Sequence, residues 1–177
     1  LTEEITISAW IYPTTTNVGT IVAKNGPFYL AYGSKHGSLS IFQTQHIGGG
    51  IFTGTWTWAD GATLIPVNDW THITLTYDGV NVKLYYNGVE DASVPKTGLM
   101  IETPNSVKIG HGSPGLDQYF TGNIDELAIF NKALTAYEVT LLYDRGLAGK
   151  SYTECENPND VIMKLYQTKK FSCSFME

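Results

Sequence analysis

Trp70-Thr71-His72-Ile73-Thr74-Leu75-Thr76-Tyr77-Asp78-Gly79-Val80-Asn81-Val82-Lys83-Leu84-Tyr85-Tyr86-Asn87-Gly88 reads as strand, turn, strand, turn. Ile73, Leu75 and Tyr77 alternate with His72, Thr74 and Thr76, the two-residue period of a strand with one buried face. Asp78-Gly79 supplies the positive φ of a tight hairpin turn, after which Val82, Leu84 and Tyr86 resume the alternation. Asn87-Gly88 turns the chain again.

Working outward, Ile5, Ile7 and Ala9 alternate with Thr6, Ser8 and Trp10 in a strand that Pro13 ends. Thr20 to Lys24, Phe28 to Tyr32, Ser38 to Gln43, Phe52 to Trp58, Ser106 to Gly110 and Ile124 to Phe130 read as further strands. Gly48-Gly49-Gly50 reads as a flexible loop. Many short strands separated by turn residues predict an all-β fold, an antiparallel β-sandwich. One short C-terminal helix is expected. Thr135-x-x-Glu138 is a capping box, Val139, Leu142 and Tyr143 share a face, and Gly146 is the expected left-handed stop. Such a helix would seal an open end of the core.

The 177 residues suit one domain, and a chain of that length buries roughly 70% of its unfolded surface. With 42% apolar and 16% charged residues the composition is globular. A net charge of -6 with 11 Lys and Arg argues against a nucleic-acid partner, which needs a basic patch. No apolar run approaches the roughly 18 residues of a membrane span, so no membrane insertion is expected. No basic-then-apolar leader is visible, so any secretion signal is expected to be removed or to lie outside this chain. From about Lys150 the character changes, with Glu154, Glu156, Asn157, Pro158 and Asn159 forming a loop. Val161 to Tyr166 and Lys170 to Phe175 then read as a hairpin. The expected division is a sandwich over 1–149 and an extension over 150–177 packed against it. Cys155 and Cys173 are compatible with a disulfide in an oxidising compartment, the favoured reading, and also with two reduced thiols.

The ordered series Ile5-Thr-Ile-Ser-Ala-Trp10-Ile11, Thr20 to Lys24, Trp70 to Gly79, Leu84 to Gly88, Val107 to Gly110, Phe120-x-Gly122-x-Ile-Asp-Glu126 and Asn131-Lys-Ala-Leu134-Thr-x-x-Glu138 resembles the laminin-G-like, concanavalin A-like jelly-roll domains. The resemblance spans about Ile5 to Gly146. It implies a binding or adhesion module at the cell surface or outside the cell, with a glycan or protein partner. Such domains usually open with one more strand and an acidic, glycine-containing loop than is seen here. The strands after Lys150 are expected to cover the edge left behind. The stretch Phe52 to Leu64 is also longer than its family equivalent.

Related jelly rolls often hold a structural calcium ion through the Asp of the Ile-Asp-Glu segment, which points to Asp125. The alternative is a hydrogen-bonded structural carboxylate. Glycosidases of this architecture use Glu-x-Asp-x-Glu on one strand, where the spacing places alternate carboxylates on one face. That motif is absent here, and Asp125-Glu126 is an adjacent pair whose members are expected on opposite faces. The expectation is therefore no enzyme activity. His36, His46, His72 and His111 show no metal-ligand spacing and read as surface or half-buried polar residues.

Trp56 and Trp58 share a face with Phe52. Indole faces stack on sugar rings, and with Asp60 and the loop from His46 to Gly50 they form the candidate ligand surface. The favoured reading is still that these indoles fill the sandwich core, where large aromatics mostly lie. Trp10 and Trp70 are assigned to the core. The Asp117-Gln118-Tyr119 loop, with a carboxylate, an amide and a phenol, is a second candidate. A different function is also open: a subunit of a fibre or surface layer whose edge strand is completed by another copy, giving a homo-oligomer or filament.

Overall fold

The computed structural model describes residues 3–24, 27–32, 45–111 and 119–150. The strand expected at Ser38 to Gln43, Asp117, His36, Cys155, Cys173 and the hairpin after Lys150 lie outside the described residues, as does any covering of an edge by that hairpin.

The described strands are β1 (Ile5–Pro13), β2 (Gly19–Lys24), β3 (Phe28–Tyr32), β4 (Ile47–Phe52), β5 (Trp56–Asp60), β6 (Thr71–Tyr77), β7 (Asn81–Tyr86), β8 (Val89–Pro95), β9 (Val107–Ile109) and β10 (Gly122–Phe130), followed by helix α1 (Ala136–Leu147). They form two five-stranded sheets. Sheet A runs β10-β1-β6-β7-β8 and sheet B runs β5-β4-β3-β2-β9, with antiparallel pairing between neighbours. The sandwich expected from the sequence is present.

Period-two patterning builds the core. Ile5, Ile7, Ala9 and Ile11 of β1, with Ile73, Leu75 and Tyr77 of β6 and Val82 and Leu84 of β7, face Val22, Phe28, Leu30, Ile51 and Ala59 from the other sheet. The central hairpin turns as the sequence indicates. Asp78 accepts the N–H groups of Val80 and Asn81 on its carboxylate, and Gly79 takes φ +82°. Asn87 and Gly88 both have left-handed φ, 47° and 81°, which suits a two-residue turn between twisted strands. That turn leads into β8, a strand whose Val-Glu-Asp-Ala-Ser-Val-Pro pattern is too polar to announce itself.

Two local expectations are corrected. Gly48-Gly49-Gly50 is the buried middle of β4 and not a flexible loop. A Cβ on Gly49 would lie 2.2 Å from Leu75 Cδ1, so the glycine exists to admit a core leucine. Phe52 to Trp58 is not one strand, because Thr53-Gly54-Thr55, with Gly54 at φ +97°, turns β4 into β5.

The helix begins as expected. The Thr135 hydroxyl accepts the Glu138 N–H, and the Glu138 carboxylate accepts the Thr135 N–H at 2.7 Å. Burial opposes ionisation of Glu138, but hydrogen bonds from Lys132 and Thr135 outweigh it and hold its carboxyl below the ordinary range. Other expectations about this region are corrected. Gly146 lies within the helix, and the left-handed residue is Gly149, at φ +67°. The helix does not seal an end of the sandwich. It lies across the outer face of sheet A, where Val139, Leu142 and Leu134 pack on Trp10 and Tyr85. Thr6 fixes its leading loop, donating to the Lys132 carbonyl at 2.7 Å and accepting the Leu134 N–H at 2.8 Å.

This placement corrects the readings of Trp70 and His72. Trp10 is buried as expected, in the apolar cluster beneath the helix, whereas Trp70 is 40% exposed. His72 is fully buried on the outer face of β6, neither surface nor half-buried. Its Nε2 lies 2.8 Å from Ser8 Oγ, which also accepts from Thr74 Oγ1 at 3.2 Å. Burial lowers the His72 pKa from 6.5 to about 3. The folded state thus holds the ring neutral while the unfolded chain protonates it below 6.5. The stability this contributes is complete above that pH and is lost as pH falls toward 3, with a slope of up to about 1.4 kcal/mol per pH unit. Urea unfolding at a series of pH values across this window should show a steeper acid loss for the wild type than for His72→Gln. Equal slopes would mean that His72 is accessible or charged in the folded state.

Candidate ligand-binding site

Strand β5 alternates Trp56, Trp58 and Asp60 on the face of sheet B turned away from the core. Across the β4–β5 ladder these residues face Phe52, Gly50 and Gly48. Glycine at position 50 has a steric reason: a Cβ there would lie 2.8 Å from Trp58 Cδ2. The Trp58 indole therefore lies over bare backbone, packed also against the small Ala23. Trp56 stacks on Trp58 with ring centroids 5.2 Å apart and 23° between planes, and Phe52 adjoins Trp56 at 5.4 Å. Trp56 remains 40% exposed. Lys96 secures the turn beside it, with Nζ donating to the Thr55 carbonyl at 3.0 Å and to the Thr55 hydroxyl at 2.9 Å. The result is an aromatic strip on the outside of the sheet, so these indoles do not fill the sandwich.

The other expected site residues divide. Asp60 closes the strip, opposite Gly48, and half-buried His46 directly precedes β4. Tyr119 is exposed, meets the His111 ring edge-on at 4.6 Å and bridges to Thr20. Thr20 is in register with Ala31, Gly48 and Asp60 in turn. At about 4.8 Å per strand, Tyr119 stands roughly 19 Å from Asp60 and outside the strip.

Asp125 lies on sheet A. A bulge in β10 puts Ala128 opposite Ser8 but Asp125 opposite Trp10, with Glu126 at φ 47°. The extra residue breaks the alternation expected for an adjacent pair, and Asp125 and Glu126 line one cleft with Trp10, Trp70 and the C-terminal end of α1. Asp125 Oδ1 accepts the Glu126 N–H at 2.8 Å. Trp70, Trp10 and Glu126 were not anticipated at a site. A signal for Trp10 exists: it occupies the polar register of β1 with Thr6 and Ser8, which excludes it from the face that carries Ile7 and Ile11.

Two antiparallel sheets with a helix on one outer face and an aromatic strip on the other define a lectin-type β-sandwich. The chain belongs to the concanavalin A-like lectin/glucanases superfamily, whose profile matches residues 1–140. Sequence comparison with curated proteins finds no match. Among solved structures, domain 4 of AbnA, an extracellular arabinanase from Geobacillus stearothermophilus in complex with arabinotriose, is 28% identical with a TM-score of 0.59, over 80% of this chain and 67% of that one. A putative carbohydrate binding protein from Bacteroides ovatus is 21% identical with a TM-score of 0.65; the match covers 78% of this chain but only 40% of that one. A heptameric SAP-like pentraxin from Limulus polyphemus is 18% identical with a TM-score of 0.62, over 80% and 70% of the two chains.

Calcium, implied for Asp125 by the family resemblance, requires six to eight oxygen ligands. Among the described residues no group of three or more His, Cys, Asp or Glu side chains could hold a metal ion, and one Asp125 oxygen already accepts a backbone N–H. The described His, Cys, Asp and Glu side chains by themselves do not make up that shell. Melting temperatures in calcium and in EDTA should therefore agree. A calcium-dependent rise abolished by Asp125→Asn would show that the ion draws its other ligands from groups besides these side chains.

Proposed function

We propose that the chain is a non-catalytic glycan-binding module of a secreted or surface-exposed protein, with the Phe52–Trp56–Trp58 strip as its platform. The observation that carries this reading is the near-parallel pair of indoles held on the outer face of sheet B by Gly50. Stacked aromatic faces offer dispersion and C–H contacts to a sugar ring at low entropic cost, because the rings are already ordered. Asp60 and His46 supply polar groups at the end of the strip. The arabinotriose complex of the arabinanase domain supports a saccharide as ligand, and its extracellular origin supports the location. Among the described residues no helix is long and apolar enough to cross a membrane.

Geometry favours binding over hydrolysis. Glycosidic cleavage needs two carboxyl groups flanking the scissile bond from different sides. Asp125 and Glu126, the carboxylates of the cleft beside β10, are consecutive and lack the spacing along a strand by which glycosidases of this architecture set their two carboxylates apart. A second reading, assembly by strand sharing, is favoured by β9, an edge among the described strands, where Val107 is 42% and Ile109 60% exposed.

A glycan array of plant and bacterial cell-wall oligosaccharides should return ligands whose binding falls about tenfold or more in Trp56→Ala, with the melting temperature preserved because Trp56 lies outside the core. Retained binding, or unfolding of the variant, would remove the strip from the site. Sedimentation equilibrium over a range of concentrations distinguishes assembly, since a strict monomer excludes the strand-sharing reading.

A further inference from the structure

We propose that the cleft between the β10 bulge and the C-terminal end of α1 is a second saccharide site, so that one domain bridges two glycans from opposite faces; this rests on the glycan-binding reading of the strip. The cleft holds about 370 Å³, within the roughly 300–1,000 Å³ of small-molecule sites and near its lower end. That size suits the end of a saccharide better than a long chain.

The walls are built and held. Trp10 packs in a three-ring cluster with His72, at 5.3 Å, and Tyr143, stacked at 5.7 Å and 21°, while those two meet each other at 6.0 Å. A Cβ on Gly146 would lie 2.1 Å from its Nε1, so glycine there lets the helix descend onto the indole. The Trp10 Nε1–H is buried with no acceptor among the described residues. Trp70 forms the exposed wall. Its loop is fastened to the end of β1 by the Asn68 N–H donating to the Pro13 carbonyl at 2.7 Å, and its own N–H donates to Asp69 Oδ1 at 2.9 Å. The Trp70 ring rests against Tyr12 with centroids 5.5 Å apart. Asp125 is oriented by the bond from Glu126 N–H to Oδ1, at 2.8 Å, and lines the cleft.

The charge pattern selects the ligand class. Asp125 and Glu126 oppose an anion, and Lys150, which lines the cleft beyond the end of α1, opposes a cation. A neutral polyol both donates and accepts hydrogen bonds, so its hydroxyls can meet a carboxylate and an ammonium while its ring packs on Trp70. The strained left-handed Glu126 and the bulge that aims Asp125 beside Trp10 are features found where a strand is shaped for a ligand. Trp10 stands on the outer side of sheet A and Trp56 on the outer side of sheet B, so both sites can be filled at once.

Arabinotriose, xylotriose and cellotriose, each titrated calorimetrically into the full chain, test this. At least one should bind at two sites per chain, and the matching soluble polysaccharide should be cross-linked, as seen by light scattering. Trp70→Ala and the isosteric Asp125→Asn should each reduce the stoichiometry to one and abolish cross-linking. Trp56→Ala should remove the other site and leave the cleft. A single site that survives Trp70→Ala and is lost in Trp56→Ala overturns the second site alone. A single site lost in Trp70→Ala and retained in Trp56→Ala overturns the strip instead. Absence of binding by all three sugars, or sugar turnover lost in Asp125→Asn, overturns the proposal.

Discussion

Strand β6 is buried along its whole length, on both faces, and the rest of the architecture follows from how that burial is satisfied. Its inner face, Ile73, Leu75 and Tyr77, needs only the apolar layer of the opposite sheet. Its outer face carries His72, Thr74 and Thr76, polar groups whose burial is unfavourable unless they are hydrogen-bonded. Ser8 of the neighbouring strand meets His72 and Thr74, and Thr6 ties the segment before α1 to the sheet. The helix then covers what remains. The centre of that sheet, β1 and β6, is closed on both sides as a result.

Sheet B has no such helix among the described residues, and its outer face is made of small residues and rings instead. Gly50 and Ala23 provide a low floor on which Trp58 lies, and Trp56 extends the strip toward solvent. Gly50 and Gly146 play parallel parts on opposite faces, each leaving space for an indole. Beneath Gly146 the indole is locked under a helix, whereas over Gly50 the stacked pair stays partly open. The same device therefore yields a buried support in one sheet and a binding platform in the other.

Much of this was legible in the sequence because it depends on period-two patterning and local turn chemistry. The hairpin at Asp78-Gly79, the turn at Asn87-Gly88, the capping box at Thr135 and the grouping of Trp56, Trp58 and Asp60 all follow from neighbouring residues. What was not legible depends on contacts distant in sequence. The glycine triplet reads as a loop until Leu75 and Trp58 occupy the space beside it. Gly146 reads as a helix stop until Trp10 requires it. Asp125 and Glu126 read as pointing apart because alternation holds for a regular strand, and no local signal marks the bulge that cancels it. The outward placement of Trp10 was present in the β1 alternation, but its size argued for the core.

The asymmetry between the two sheets is the claim on which the functional reading stands, and the four tryptophans report on it directly. Hydrogen exchange of the indole N–H groups, followed by NMR on the ligand-free protein with each signal assigned by substitution, measures it. The account predicts slow exchange at Trp10 and fast exchange at Trp56 and Trp70. Slow exchange at Trp56 matching that of Trp10 would place the strip inside the fold and contradict the account.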